Sequence, residues 1–287
     1  MKMDYHLHSE FSDDSHATME SQIERGIELG LQEMCFTDHV DYGIKKDWAD
    51  GEIEWRGGDG VGTSVDSLEP MENVHYPEYF AKLYRMRKTY GKRITIRNGL
   101  EFGMQMHTIP QYEKLLETYG DELDFVLMSI HQIEDKEFWT GDFMKGRTQE
   151  EYNLRYYEEM LHLVESFHGY DVLAHVDLIR RYDPAGPIGF GQICPILTEI
   201  FHKVIADGKG IELNTSSWHY GLDDTMPSRD VLSLYHSLGG RILTIGSDAH
   251  KPEYLADHME KAREILRGIG FTEIYTFDHH QPIAHRL

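Results

Sequence analysis

Cysteine is scarce in this chain: Cys35 and Cys194 are the only two in 287 residues. Two are too few for a disulfide framework, and neither falls in the motifs described below, so a thiolate metal site is excluded. Both read as reduced thiols of a cytoplasmic protein. Long apolar runs are missing as well, since none approaches the ~18 residues of a membrane-spanning helix. The opening Met1-Lys2-Met3-Asp4-Tyr5-His6 turns polar at once and shows no secretory signal. Positive charge is the third deficit. Lys and Arg number 28 against 50 Asp and Glu, a formal net charge of -22, which leaves no basic stripe for nucleic acid. Repeats and low-complexity tracts are absent. The composition sets aside membrane and nucleic-acid partners and leaves a small-molecule substrate. An anionic one would need local positive charge, which bound metals could supply.

What is present is a rhythm. Apolar, β-branched or aromatic runs at Met3–His6, Glu33–Thr37, Ile94–Glu101, Asp124–Ser129, Val172–His175, Gly210–Asn214 and Ile242–Gly246 predict strands, with a last run at Ile274–Phe277. Helical periodicity covers Thr18–Leu29, Pro77–Tyr90, Pro110–Tyr119, Gln149–Phe167, Phe190–Asp207, Ser228–Leu238 and Asp257–Gly268. Glycines at 30, 91, 120, 169, 208, 239 and 270 follow these helices, as C-cap chemistry prefers. Alternation of strand and helix implies parallel strands joined by right-handed crossovers. The expectation is an α/β barrel forming one domain over residues 1–287, a length such barrels commonly reach. Two stretches break the rhythm. Residues 42–75 carry Trp48, Trp55 and many acids with little periodicity, and are expected to form a lid over the barrel mouth. Asp183–Gly191, rich in Pro and Gly, is expected to be a second mouth loop.

Histidines and acids recur where six of these strands end, at His6 and His8, Asp38 and His39, Glu101, His131, His175 with Asp177, and Asp248 with His250, and Asn214 ends the seventh. In a parallel barrel those ends converge on one face, where such folds keep their chemistry. Two residues apart on a strand, His6 and His8 share a face. Asp13 or Asp14, in the turn-rich Ser9–Ser15 stretch, can be returned to the same place, although N-capping near Thr18 is an alternative use. Glycines flank Glu101 in Gly99-Leu100-Glu101-Phe102-Gly103, where they allow close backbone approach. One such residue at one strand end would be unremarkable; six in corresponding positions describe a cluster for divalent metal ions with nitrogen and oxygen ligands.

These same residues carry a resemblance. His6-Leu7-His8, Thr37-Asp38-His39, Gly99-Leu100-Glu101, His131, His175 and Gly246-Ser247-Asp248-Ala249-His250 are similar to the PHP (polymerase and histidinol phosphatase) domain, over nearly the full length. Ala174–Arg181 and Glu212–Ser216 resemble its histidinol-phosphatase branch. The resemblance implies a distorted (β/α)7 TIM-like barrel with three divalent metals. It implies one metal on His6, His8, Glu101 and Asp248, a second on Asp14, His39 and His250, and a third on Glu101, His131 and His175, with Glu101 bridging. Many members have histidine where this chain has Asp14. Mixed nitrogen and oxygen ligands accept zinc, iron or manganese.

Closely spaced metals suit phosphomonoester hydrolysis, by a hydroxide bridging two of them and attacking phosphorus in line. Asp248 or His250 is then placed to pass a proton to the leaving alcohol. Arg180 and Arg181 are candidates to grip the phosphate, one of the two facing the site because neighbours on a chain rarely both do. Arg155 and His219 are further candidates. Asp41, Glu52, Glu54 and Asp59 are available to an amine. The substrate that the resemblance implies is L-histidinol phosphate, cleaved in histidine biosynthesis. Two other readings stand beside it: another PHP phosphoesterase, acting on phosphotyrosine, a nucleotide or a nucleic-acid end, and a PHP module that binds metal without catalysis.

Overall fold

The computed structural model describes residues 1–47 and 72–287. Most of the expected lid, including Trp48, Glu52, Glu54, Trp55 and Asp59, lies outside the described residues. Seven parallel strands form one sheet: β1 (Met3–Leu7), β2 (Glu33–Val40), β3 (Thr95–Gly103), β4 (Phe125–Ser129), β5 (Val172–Leu173), β6 (Gly210–Asn214) and β7 (Leu243–Gly246), hydrogen-bonded in that order. Helices α1 (Met19–Glu28), α2 (Tyr76–Tyr90), α3 (Ile109–Tyr119), α4 (Gln149–Ser166), α5 (Phe190–Ala206), α6 (Arg229–Ser237) and α7 (Met259–Ile269) alternate with them. Side-chain caps begin several: Thr18 accepts from Ser21 N, Thr148 and Glu151 form a capping box, and Ser228 accepts from Val231 N.

Every residue of β1, β2, β4, β6 and β7 is buried, as expected of parallel strands covered on both faces. Leu100, Leu127 and Leu213 are fully enclosed, and each such side chain contributes about 1.5–3 kcal/mol. The barrel closes between β1 and the chain just past β7. Asp248 N donates to His6 O at 2.7 Å and His8 N to Ala249 O at 3.0 Å. This seam brings the first and last motifs of the sequence together.

The last run, at 274–277, is a strand as expected and stands outside the barrel: it lies in β8 (Glu273–Asp278), which pairs antiparallel with β9 (Gln281–Arg286), and Phe277 N donates to the Tyr5 hydroxyl at 2.8 Å. Two expectations change. Strand β5 is shorter than its apolar run, because His175 leaves the ladder with φ 23° and its N–H donates to Glu212 Oε2 at 2.9 Å. Among the glycines expected to cap helices, Gly30, Gly208, Gly239 and Gly270 adopt positive φ, whereas Gly91 and Gly120 keep helical angles.

Candidate metal centre

Register delivers the side chains. Parallel pairing sets His39 of β2 opposite Glu101 of β3, and the closing seam sets His6 and His8 beside Asp248 and His250. Asp248 itself takes a positive φ of 57°. The carboxylate of Asp4 supports that turn by accepting from Ser247 N and Ala256 N, each at 2.9 Å.

Glu101, wholly buried, lies at the centre. Its Oε2 lies 3.0 Å from His6 Nε2 and 3.6 Å from His8 Nε2. Those two nitrogens stand 3.6 and 3.3 Å from Asp248 Oδ1, which completes a compact four-residue group. The other oxygen, Oε1, lies 3.1 Å from His131 Nε2 and 2.8 Å from His175 Nε2. A third group is formed by Asp14 Oδ2, which is 3.1 Å from His250 Nε2 and 3.5 Å from His39 Nε2. Asp13 is turned away, its Oδ1 held 2.8 Å from Lys45 Nζ. Of the two aspartates left open by the sequence, Asp14 is the one facing histidines.

The electrostatics favour positive charge here. Burial pushes the Glu101 carboxyl up, but His6, His131 and His39 overcome it and hold it well below the usual range. Asp248 is likewise raised by burial and brought well below it by His6, His8 and His250. Burial and the neighbouring His250 and His39 push His8 far down, keeping that imidazole neutral. The buried atoms His8 Nε2, His39 Nδ1 and Asp14 Oδ1 have no hydrogen-bond partner. Buried polar atoms without partners are costly unless a cation meets them, and His39 Nδ1 stands 3.0 Å from Glu101 Oε2, so these residues fit metal ions. The tautomers agree with that use: His6 Nδ1 meets Glu212 Oε1 at 2.7 Å and His131 Nδ1 meets Asp41 Oδ1 at 2.7 Å, so each imidazole can offer Nε2 to a cation.

Of the residues expected to hold substrate, Arg181 lies in the cleft above the cluster with Tyr182, Tyr220, Glu137 and Trp139. It donates to Ser216 Oγ at 2.7 Å and covers the Tyr220 ring at 4.0 Å. Arg180 points elsewhere, because Asp177 claims it at 2.7 Å and it also reaches Thr225 O. Arg155 is paired with Glu159 on its own helix at 2.8 Å and does not line the cleft. His219 lines an adjoining pocket that shares Asp14, Asp248 and His250, where its ring lies 3.7 Å from that of Tyr254. His250 places Nδ1 3.0 Å from Asp248 O and Nε2 3.1 Å from Asp14 Oδ2. Asp41, one of the acids available to an amine, lines the cleft and holds His131 and Lys45.

Several contributors escaped sequence reasoning. Glu212 sits mid-strand and reads as a core position; Lys45 sits in an aperiodic loop; Ser12 reads only as a turn residue. The one signal for them is proximity in sequence to a ligand or to an invariantly buried strand.

A parallel barrel with imidazoles and carboxylates clustered at ion-binding spacing at the strand ends defines a metal-dependent hydrolase. The chain belongs to the PHP domain family, whose model matches residues 4–216. It is 30% identical over 281 residues to a histidinol-phosphatase of Lactococcus lactis, covering 96% of this chain and 94% of that protein. A crystal structure of a histidinol phosphate phosphatase from Lactococcus lactis, complexed with zinc, L-histidinol and phosphate, superposes with a TM-score of 0.81 at 28% identity over 98% of both chains. A structure from Listeria monocytogenes, at 19% identity, a TM-score of 0.71 and coverage of 91% of this chain and 99% of that one, shares the fold.

Proposed function

We propose that this chain hydrolyses L-histidinol phosphate to L-histidinol and inorganic phosphate, the step that serves histidine biosynthesis. The observation that carries the reading is the division of Glu101 between two ligand groups, with Arg181 at the lip of the cleft above them. Likeness over nearly the whole chain to a protein whose crystal structure holds zinc, L-histidinol and phosphate supports the substrate. No described helix is long and apolar enough to cross a membrane, and the unpaired Cys35 and Cys194 suit the cytoplasm.

Three ions are assigned: one to His6, His8, Glu101 and Asp248, a second to Asp14, His39 and His250, a third to Glu101, His131 and His175. Zinc, iron and manganese all accept such ligands. When bound, divalent cations polarise phosphate oxygens and lower the pKa of water toward ~7. The remaining work falls to the chain. Arg181 binds the phosphate through its guanidinium fork. Tyr182, Tyr220 and Trp139 flank the organic part of the ester and shut out water, and Glu137 offers a carboxylate to the ammonium. Asp248 turns Oδ1 to His6 and His8 but Oδ2 toward Arg181 and Ser216, at 3.4 and 3.3 Å. That second oxygen, kept ionised beside Arg181, is the one to relay a proton from water to the leaving alcohol.

The test is phosphate release from L-histidinol phosphate by protein loaded with zinc, manganese or iron, beside other phosphomonoesters. Strong preference for L-histidinol phosphate, lost on chelation, is the expected result. Turnover of phosphotyrosine peptide alone, or of no ester at all, would overturn the substrate.

A further inference from the structure

Ser12 is 1% exposed and bonded to three groups on two segments, Asp38 and His39 of β2 and His8 just past β1. Its hydroxyl donates to Asp38 Oδ1 at 2.7 Å and accepts from His39 N at 3.1 Å. It also lies 3.1 Å from His8 Nδ1. A serine hydroxyl has one proton and two acceptor lone pairs. Asp38 takes the proton: its carboxylate gathers donors, with Ser9 N at 2.7 Å and Ser9 Oγ at 2.9 Å besides Ser12. One lone pair is filled by the backbone of His39. Only an acceptor is left for His8, so His8 Nδ1 must carry the proton, and His8 Nε2 must be bare. That nitrogen is buried, lacks a hydrogen-bond partner, and stands between Asp248 Oδ1 and Glu101 Oε2.

We propose that Ser12 is a positioning residue that sets the tautomer of His8, so that Nε2 is presented as a lone pair toward the cation shared with His6, Glu101 and Asp248. The metal role rests on the reading above; the tautomer does not. Through the same oxygen Ser12 ties the start of the loop bearing Asp14 to the backbone of His39. One hydroxyl thereby couples two of the three ligand groups.

The experiment has two parts on the full chain. Nitrogen NMR of the histidine rings in metal-free protein, with His8 assigned from His8→Gln, is expected to show a protonated Nδ1 and a bare Nε2. In Ser12→Ala the proton should move to Nε2 or exchange between the two nitrogens. Zinc competition against a chelator should then find Ser12→Ala about ten- to a hundredfold weaker than wild type, the usual effect of losing such a partner. A wild-type His8 protonated on Nε2 overturns the proposal without need of any variant. So does a folded Ser12→Ala protein with unchanged tautomer and zinc affinity. Wild-type protein that binds no zinc, but shows the expected tautomer, defeats the metal reading and leaves the tautomer assignment standing.

Discussion

The guanidinium of Arg181 lies 3.4 Å from Oδ2 of Asp248, and burial does not strip its charge because Tyr182, Asp248 and Tyr220 hold its proton in place. Arg181 is therefore a fixed cation beside the oxygen assigned to proton transfer. Its neighbour Arg180 is committed to the buried Asp177. Arg181→Met should lower kcat/KM for L-histidinol phosphate about ten- to a hundredfold, the value of one hydrogen bond to a charged group. Arg180→Met should leave turnover close to wild type and cost about 3 kcal/mol or more in denaturant unfolding, because Asp177 loses its partner. Equal kinetic losses in both variants would sink the distinction.

Glu212 supports two ligands at once, His6 through Oε1 and the backbone of His175 through Oε2. Glu212→Gln keeps the shape but presents a donor to one of them, and zinc affinity should fall about ten- to a hundredfold. Chelator competition measures it.

Room for that contact depends on Gly246. A β-carbon there would fall 2.2 Å from His6 Cβ and 2.4 Å from Glu212 Oε1. Gly246→Ala is expected to destabilise the fold by about 1–3 kcal/mol and to release metal. A variant with wild-type melting temperature and full metal content would show that the strands can separate without cost.

Lys45 joins Asp13 and Asp41, with 2.8 Å to each carboxylate. Burial opposes its charge, but Asp13, Asp41 and Asp14 outweigh that and keep it protonated. Lys45→Met leaves two like charges buried together and should cost about 3–5 kcal/mol at neutral pH. Urea unfolding of the metal-free variant at pH 7 gives the number.

Asp4 supplies a pH test. Burial raises its carboxyl from 3.8 to about 6 against the hydrogen bonds of Ser247 and Ala256. The folded chain thus binds this proton more tightly than the unfolded one, so the group's contribution is most favourable below pH 3.8 and declines as pH rises toward 6. That interval is worth about 3 kcal/mol. Asp4→Asn has no such titration, so its deficit relative to wild type should be about 2 kcal/mol larger at pH 4 than at pH 7. Unfolding of metal-free proteins at both values reads the difference; a constant deficit would show that Asp4 titrates normally.

The barrel was legible because strands and helices advertise different periods, and because helix ends carry caps such as Thr148 and Ser228. The residues that gather at the barrel mouth were legible for a related reason: a histidine or acid ends an apolar run again and again, and its position in the unit repeats. The arginine was not. Periodicity cannot say which of Arg180 and Arg181 faces inward when the chain turns there, and the choice falls to Asp177, a partner supplied by the same turn. The strand at 274–277 was legible as a strand, but its partner was not, because an apolar run specifies burial, and burial is equally served by an antiparallel hairpin packed against Tyr5.

By itself, then, the order of residues determined the elements, the face on which the chemistry gathers and the ligand types, all consequences of local propensity and alternation. Only the tertiary structure decided the closing seam, the split of Glu101 between two groups and the hydrogen bonds to the far ring nitrogens of His6 and His131. Those depend on distances between segments as far apart as His6 and Asp248, and no local pattern encodes a distance. Packing alone brings Ser12, Asp41 and Glu212 within reach of the histidines they hold.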